Sequence, residues 1–242
     1  MTDPGIEVAV VAGATGGIGR AVALRLARRG LRLHLLSRSR ERLAALIREI
    51  ETEGGTGIAH TIDFLEAVQA EQVSCMIRDC EPCVHVLVHA AGHLEPGTTA
   101  SATIEGLDRH VAANLRGPYL LTQHLLRPLV AAAGQVVFIN SSVVQFASPT
   151  TGQYAASKHA LKGFADSLRA ELNAAGVRVL SVFPGRTASE MQRDVHAQDG
   201  RPYHPEKLLQ PDEVAAMIDA ALNLPRTAEV TEVHMRPMAR TF

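Results

Sequence analysis

Tryptophan is absent from the 242 residues, cysteine occurs three times, and aromatic residues make up only 4%. Three cysteines, Cys75, Cys80 and Cys83, give no disulfide framework, which sets aside the disulfide-stapled secreted class and fits a reducing cytoplasm. No apolar run approaches the roughly 18 residues of a membrane span, so no membrane partner is expected. An excess of charge is missing too: 24 Lys and Arg face 25 Asp and Glu, for a formal charge of −1. Without a basic face, binding to a phosphate backbone lacks its driving force, and nucleic acid is not an expected partner. Residues 1–5 run directly into the apolar stretch IEVAVVAG, with no charged-then-apolar leader, again as a cytoplasmic protein would. What is present is an ordinary globular composition, 46% hydrophobic. A chain of this length buries about 70–75% of its unfolded surface, so a single domain over 1–242 needs no metal or disulfide staple.

Short apolar runs alternate with amphipathic stretches along the chain. Strands are expected at 6–12, 31–37, 57–62, 84–90, 135–141, 177–183 and 229–235, and helices near 17–29, 39–53, 64–80, 100–132, 152–175 and 211–224. Most of the strand runs are continuously apolar, as in parallel sheets covered by helices on both faces. Gly30, Gly54 and Gly176 stand where helices should end, and Pro211-Asp212-Glu213 suits a first helical turn. This alternation predicts an α/β fold: a doubly wound, mostly parallel seven-stranded sheet of the Rossmann kind. The weakly patterned stretch 185–210 is read as a functional loop, since ligands of such sheets bind beyond the carboxyl ends of strands.

The first strand runs into Gly13-Ala14-Thr15-Gly16-Gly17-Ile18-Gly19 and then a helix. Glycines let backbone amides approach a phosphate, and the helix N-terminus adds positive potential. The spacing is G-x-x-x-G-x-G, and the lysine of a P-loop is lacking. Tyr154 and Lys158 are four apart on a predicted helix and share a face. Bringing a tyrosine from pKa ~10 to near 7 requires about 4 kcal/mol of phenolate stabilisation. An ammonium at ~4 Å supplies about that much at an effective dielectric of ~20. Cys80-Glu81-Pro82-Cys83 lacks a second pair, and no metal is assigned to it.

Taken together, these motifs resemble the compact type of short-chain dehydrogenase/reductase, over residues 6 to about 235. The glycine motif matches at Gly13, Gly17 and Gly19, with Ala12 where a threonine is usual. The Y-x-x-x-K motif matches Tyr154 to Lys158, the family's helix asparagine matches Asn114, and its P-G turn matches Pro184-Gly185. The family's serine, 13 residues before the tyrosine, selects Ser141 over Ser142. Neighbouring strand residues point to opposite faces, so only one of the two serines should reach the substrate. Two departures stand out: the family's N-N-A-G appears as His89-Ala90-Ala91-Gly92, and Ser189 takes the place of a threonine past the P-G turn, with Thr187 closer.

The resemblance implies hydride transfer between nicotinamide and a small-molecule carbonyl or alcohol. Tyr154 would be the acid/base, Lys158 its electrostatic partner and ribose ligand, Ser141 the holder of the substrate oxygen, and Asn114 the anchor of a water. Asp63-Phe64 resembles the adenine-contacting pair, and a homodimer or homotetramer is implied. Cofactor type turns on the end of the second strand, where NAD enzymes place an acid. Here Ser37-Arg38 stands instead, and a guanidinium suits the 2′-phosphate of NADP(H) better than the bare ribose of NAD(H). The substrate lining is expected to include His93, Phe146 and Met191. An NAD(H)-dependent alcohol dehydrogenase and a non-catalytic nucleotide-binding regulator on the same fold remain alternatives.

Overall fold

The computed structural model describes residues 5–198 and 200–238. In chain order its elements are β1 (Val8–Ala12), α1 (Gly17–Arg28), β2 (Arg32–Ser37), α2 (Arg40–Thr52), β3 (Thr56–Thr61), α3 (Ala67–Cys80) and β4 (Val86–His89). They continue with α4 (Ile104–Val111), α5 (Gly117–Ala131), β5 (Gln135–Ile139), α6 (Gly152–Leu172), β6 (Arg178–Pro184), α7 (Glu190–Gln198), α8 (Pro211–Leu222) and β7 (Glu232–Met235). Among the described residues the strands form one seven-stranded sheet in the order β3-β2-β1-β4-β5-β6-β7. Every pairing is parallel.

Alternation along each buried strand feeds two cores. Ala9 and Val11 of β1 pack with Leu26 of α1, Leu43 of α2 and Ile218 of α8 on one face. Val8, Val10 and Ala12 face the other way, toward Ile77 of α3, Leu125 of α5 and Leu161 of α6. Each fully buried leucine contributes roughly 1.5–3 kcal/mol, so helices are held to both faces by strands that are apolar throughout. The edge strand β3 departs from that pattern, with His60 its one buried residue. No helix among the described residues is long and apolar enough to cross a membrane.

Three expectations need correction. The stretch 100–132 is not one helix: α4 and α5 are separated by a π-helical turn over Ala112–Arg116. Pro118 has no N–H to give back to the Asn114 carbonyl, so the α-helical ladder is broken there and the turn widens. The strand expected at 135–141 stops at Ile139, and Ser141 instead begins a 3₁₀ turn over Ser142–Val144. The stretch 185–210 is no plain loop, because it carries α7 and a 3₁₀ turn at Pro205–Lys207. Sequence punctuation placed the helix ends well by contrast: Gly30, Gly54 and Gly176 all adopt positive φ. Glu213 accepts a hydrogen bond from the Gln210 N–H at 2.9 Å and so caps α8.

Strand order reverses direction at β1, which has β2 on one side and β4 on the other. A crevice opens outside the carboxyl ends of the strands at such a point. Onto it run the turns after β1, β4, β5 and β6.

Candidate active site

At the end of β1 the chain turns through Gly13, whose φ is +77°. A Cβ at Gly13 would collide with the backbone N of Ala91, so β1 and the segment after β4 approach more closely than any side chain allows. Helix α1 then starts at Gly17 with no side-chain cap and no acidic residue in its first turn. Its leading amides are therefore free for an anion, and the dipole favours one. A Cβ on Gly92, after β4, would stand 3.4 Å from Asn114 Oδ1, 3.9 Å from Lys158 Nζ and 4.0 Å from Met191 Cε. A larger residue at Gly92 would narrow the crevice against Asn114 and Lys158. A dinucleotide would suit this cradle, since α1 offers uncapped amides to an anion and Gly92 leaves space before Asn114 and Lys158.

The chemistry-bearing side chains converge on this point from three elements. Tyr154 and Lys158 lie one turn apart near the start of α6, and Lys158 is only 3% exposed. Lys158 Nζ donates to the Ile139 carbonyl at 2.9 Å and lies 5.8 Å from the centre of the Tyr154 ring. Asn140 holds this arrangement, since its Nδ2 donates to the Lys158 carbonyl at 3.2 Å and its Oδ1 accepts from Ser141 N–H. Ser141 is extended, with φ −159° and ψ 149°, and its Oγ accepts from Val143 N–H at 3.2 Å. Burial raises the Tyr154 phenol pKa, and the Ser141 hydroxyl pulls it partly back down. Ser142 makes no side-chain hydrogen bond among the described residues. The two serines thus differ because one caps a turn, not because they alternate along a strand.

Asn114 sits fully buried in the π-helical turn. Its Oδ1 accepts from His93 N–H at 2.8 Å, and its Nδ2 donates to the His93 carbonyl at 2.9 Å and to Ser157 Oγ at 2.9 Å. One amide therefore ties the segment after β4 to α6. His89, where the family pattern has asparagine, stacks on Phe138 with 4.8 Å between ring centres and pairs through Nε2 with Thr122 Oγ1 at 2.8 Å. Burial holds its pKa down at about 3, so it packs as a neutral ring.

Burial also lowers the Lys158 pKa from 10.5 to about 8. Between those values the unfolded chain keeps a proton that the folded protein has released, so stability rises with pH across that window. The melting temperature of the wild type should therefore gain on that of Lys158→Met between about pH 7 and pH 10. A difference independent of pH would mean that Lys158 titrates as an ordinary lysine.

The remaining expected contacts surround this centre. Thr15 and Ser37 share a short hydroxyl–hydroxyl hydrogen bond that links the glycine turn to the end of β2. Arg38 is exposed and has no ion pair among the described residues, whereas Arg42 is engaged by Glu190 at 2.6 Å. Ile18 packs on the core, and Ala90 N–H donates to the Ala12 carbonyl at 2.9 Å. Asp63 turns its carboxylate to Leu65 N–H at 3.0 Å, while Phe64 is buried against Gly117 and points into the core. After Pro184-Gly185, Thr187 is buried with its hydroxyl on the Gly185 carbonyl at 3.1 Å. Ser189 accepts from Gln192 N–H at 3.2 Å and so opens α7. Phe146 stands 80% exposed.

Two neighbours of the centre escaped the sequence reading. His110 lies edge-on to Tyr154 with 6.2 Å between ring centres, and Arg109 pairs with Glu95 at 2.6 Å. The four-residue interval from His110 to Asn114 was the signal available for the first. Nothing local announces the second.

Comparison with known proteins gives a consistent picture. A sequence profile of the short chain dehydrogenase family matches residues 7–200. An uncharacterized short-chain type dehydrogenase/reductase of Sinorhizobium fredii is 32% identical over 240 residues, covering 96% of this chain and 91% of that protein. Among solved structures, the alcohol dehydrogenase of the archaeon Thermococcus sibiricus complexed with 5-hydroxy-NADP superposes with a TM-score of 0.88 at 28% identity, covering 98% of each chain. Actinorhodin polyketide ketoreductase with NADPH superposes with a TM-score of 0.87 at 28% identity, covering 97% of each.

Proposed function

The chain belongs to the short-chain dehydrogenase/reductase family of oxidoreductases, and from that premise we propose that it is an NADP(H)-dependent enzyme interconverting a carbonyl and an alcohol, with Tyr154 moving the proton. The observation that carries this reading is the convergence of Ser141, Tyr154 and Lys158 on the crevice beside Gly92. The nicotinamide, when bound, supplies or accepts the hydride. The chain supplies the rest.

Ser141 Oγ, fixed by Val143 N–H, presents its hydrogen to the substrate oxygen and stabilises charge developing there. Tyr154 gives its phenolic proton to that oxygen during reduction and takes it back during oxidation. Burial alone raises the phenol pKa, which suits the acid; Ser141 and the nearby Lys158 ammonium favour the phenolate needed for the base. Lys158 would also hold the nicotinamide ribose, and Asn114 would anchor the water that passes protons toward solvent. Thr15, Ile18, Ala90, Ala91, Pro184, Gly185, Thr187 and Ser189 would line the cofactor along the strand ends. Of Asp63 and Phe64, only Asp63 keeps its side chain off the core, so it is the better placed to meet the adenine. The family likeness also favours a homodimer or homotetramer acting in the cytoplasm.

NADP(H) is preferred to NAD(H) because Arg38 follows β2 exposed and without an ion pair among the described residues. A hydrogen bond to a charged group contributes about 1.5–3 kcal/mol, so Arg38→Ala should weaken NADPH binding roughly 10- to 150-fold and leave NADH nearly unchanged. Fluorescence titration of both cofactors against wild type and variant decides it. Wild-type preference for NADH would remove the assignment; an unaffected preference for NADPH would move the contact to Arg40 or Arg42. Oxidation of NADPH by a panel of aldehydes and ketones tests the activity itself. Tight NADPH binding without turnover would favour the non-catalytic alternative.

A further inference from the structure

His93 follows the Ala90-Ala91-Gly92 segment, and its backbone is clamped on both sides by Asn114. Its ring packs on His110 with 4.9 Å between centres, and His110 in turn lies against the edge of Tyr154. This wall of the crevice is therefore built from three polar rings in a row. Tyr154 is committed to the proton. His110 is saturated: Nδ1–H donates to the Gly106 carbonyl at 2.7 Å and Nε2 accepts from Glu95 N–H at 3.1 Å. His93 is not.

His93 Nε2 is buried without a hydrogen-bond partner, 3.6 Å from Glu95 Oε2. Arg109 holds Glu95 at 2.6 Å and keeps its carboxyl below the usual range, so Glu95 is ionised and only accepts. A carboxylate on that side places the imidazole proton on Nε2 and leaves Nδ1 as the acceptor. The side chain is 31% exposed, and Nδ1 has no partner among the described residues. Burial and the His110 ring keep His93 below its ordinary pKa, hence neutral at neutral pH. A neutral acceptor beside the reacting centre attracts a hydroxyl, not an anion.

From this arrangement we propose that His93 is a specificity-determining residue that accepts a hydrogen bond from a substrate hydroxyl, so that the enzyme favours hydroxylated carbonyls, such as hydroxyketones and hydroxyaldehydes, over their deoxy counterparts. The inference rests on the oxidoreductase reading above and adds the substrate class. Glu95 is a positioning residue here, since it acts through the tautomer of His93.

The test compares kcat/KM for hydroxyacetone with that for butanone, and for glyceraldehyde with that for butyraldehyde, using NADPH. The ratio within each pair should fall roughly 2- to 13-fold in His93→Phe, the range for one neutral hydrogen bond, with the loss mostly in KM of the hydroxylated partner. His93→Asn, which keeps an acceptor, should retain most of the ratio, and NADPH affinity should be unchanged in both. Ligand-observed NMR on the NADP⁺-loaded protein should show hydroxyacetone contacting wild type more strongly than His93→Phe. Turnover with a ratio indifferent to His93→Phe, an equal loss in His93→Asn, or a preference for pyruvate over hydroxyacetone would overturn the proposal alone. No turnover with any carbonyl despite NADPH binding would overturn the oxidoreductase reading and this one with it.

Discussion

Replacing Tyr154 with phenylalanine should lower turnover at least ~100-fold while fold and NADPH affinity persist, because general acid–base catalysis typically contributes that much or more. The variant deletes one oxygen from a half-buried ring whose packing against His110, 6.2 Å between ring centres, involves the rings themselves. Ser141 Oγ keeps Val143 N–H, so the turn after β5 should stay formed. Steady-state rates, with circular dichroism and NADPH titration on the same preparation, check each part. Retained turnover in a folded variant would take the proton-transfer role away from Tyr154.

The serines give the second large effect. Ser141→Ala should cost roughly 100- to 1,000-fold in turnover, as loss of one donor to a developing oxyanion does. Ser142→Ala should cost far less, since its hydroxyl makes no hydrogen bond among the described residues. Some of the Ser141 loss is structural, because its Oγ also caps the 3₁₀ turn. Ser141→Thr keeps the hydroxyl in place and should recover part of the rate, which separates the two contributions. If instead Ser142→Ala proves the more damaging, the substrate oxygen lies on the other side of that turn.

Much of the architecture was legible along the chain because its causes are local. A strand buried on both faces must be apolar at every position, and a parallel neighbour requires a crossover helix; both leave marks that a reader can count. Gly30, Gly54 and Gly176 ended helices for a reason internal to each residue, the low cost of positive φ. The glycine turn and the Tyr154–Lys158 interval were equally readable, since each is a short-range geometry. The extent of helix 100–132 was not, because periodicity carries straight through the π turn that seats Asn114.

The sequence by itself determined the sheet, the order of the layers, the family and the chemical identities of Ser141, Tyr154 and Lys158. Tertiary structure alone decided what those side chains meet. Buried Asn140 ties the backbone of Ser141, after β5, to the carbonyl of Lys158 on α6. Arg42 faces Glu190, and His93 faces Glu95 with His110 behind it, across intervals that no local rule connects. The physical reason is the range of the forces. Backbone preference and hydrophobic periodicity act within a turn or two, whereas pKa values, tautomers and hydrogen-bond vacancies depend on groups that only packing brings within a few ångströms.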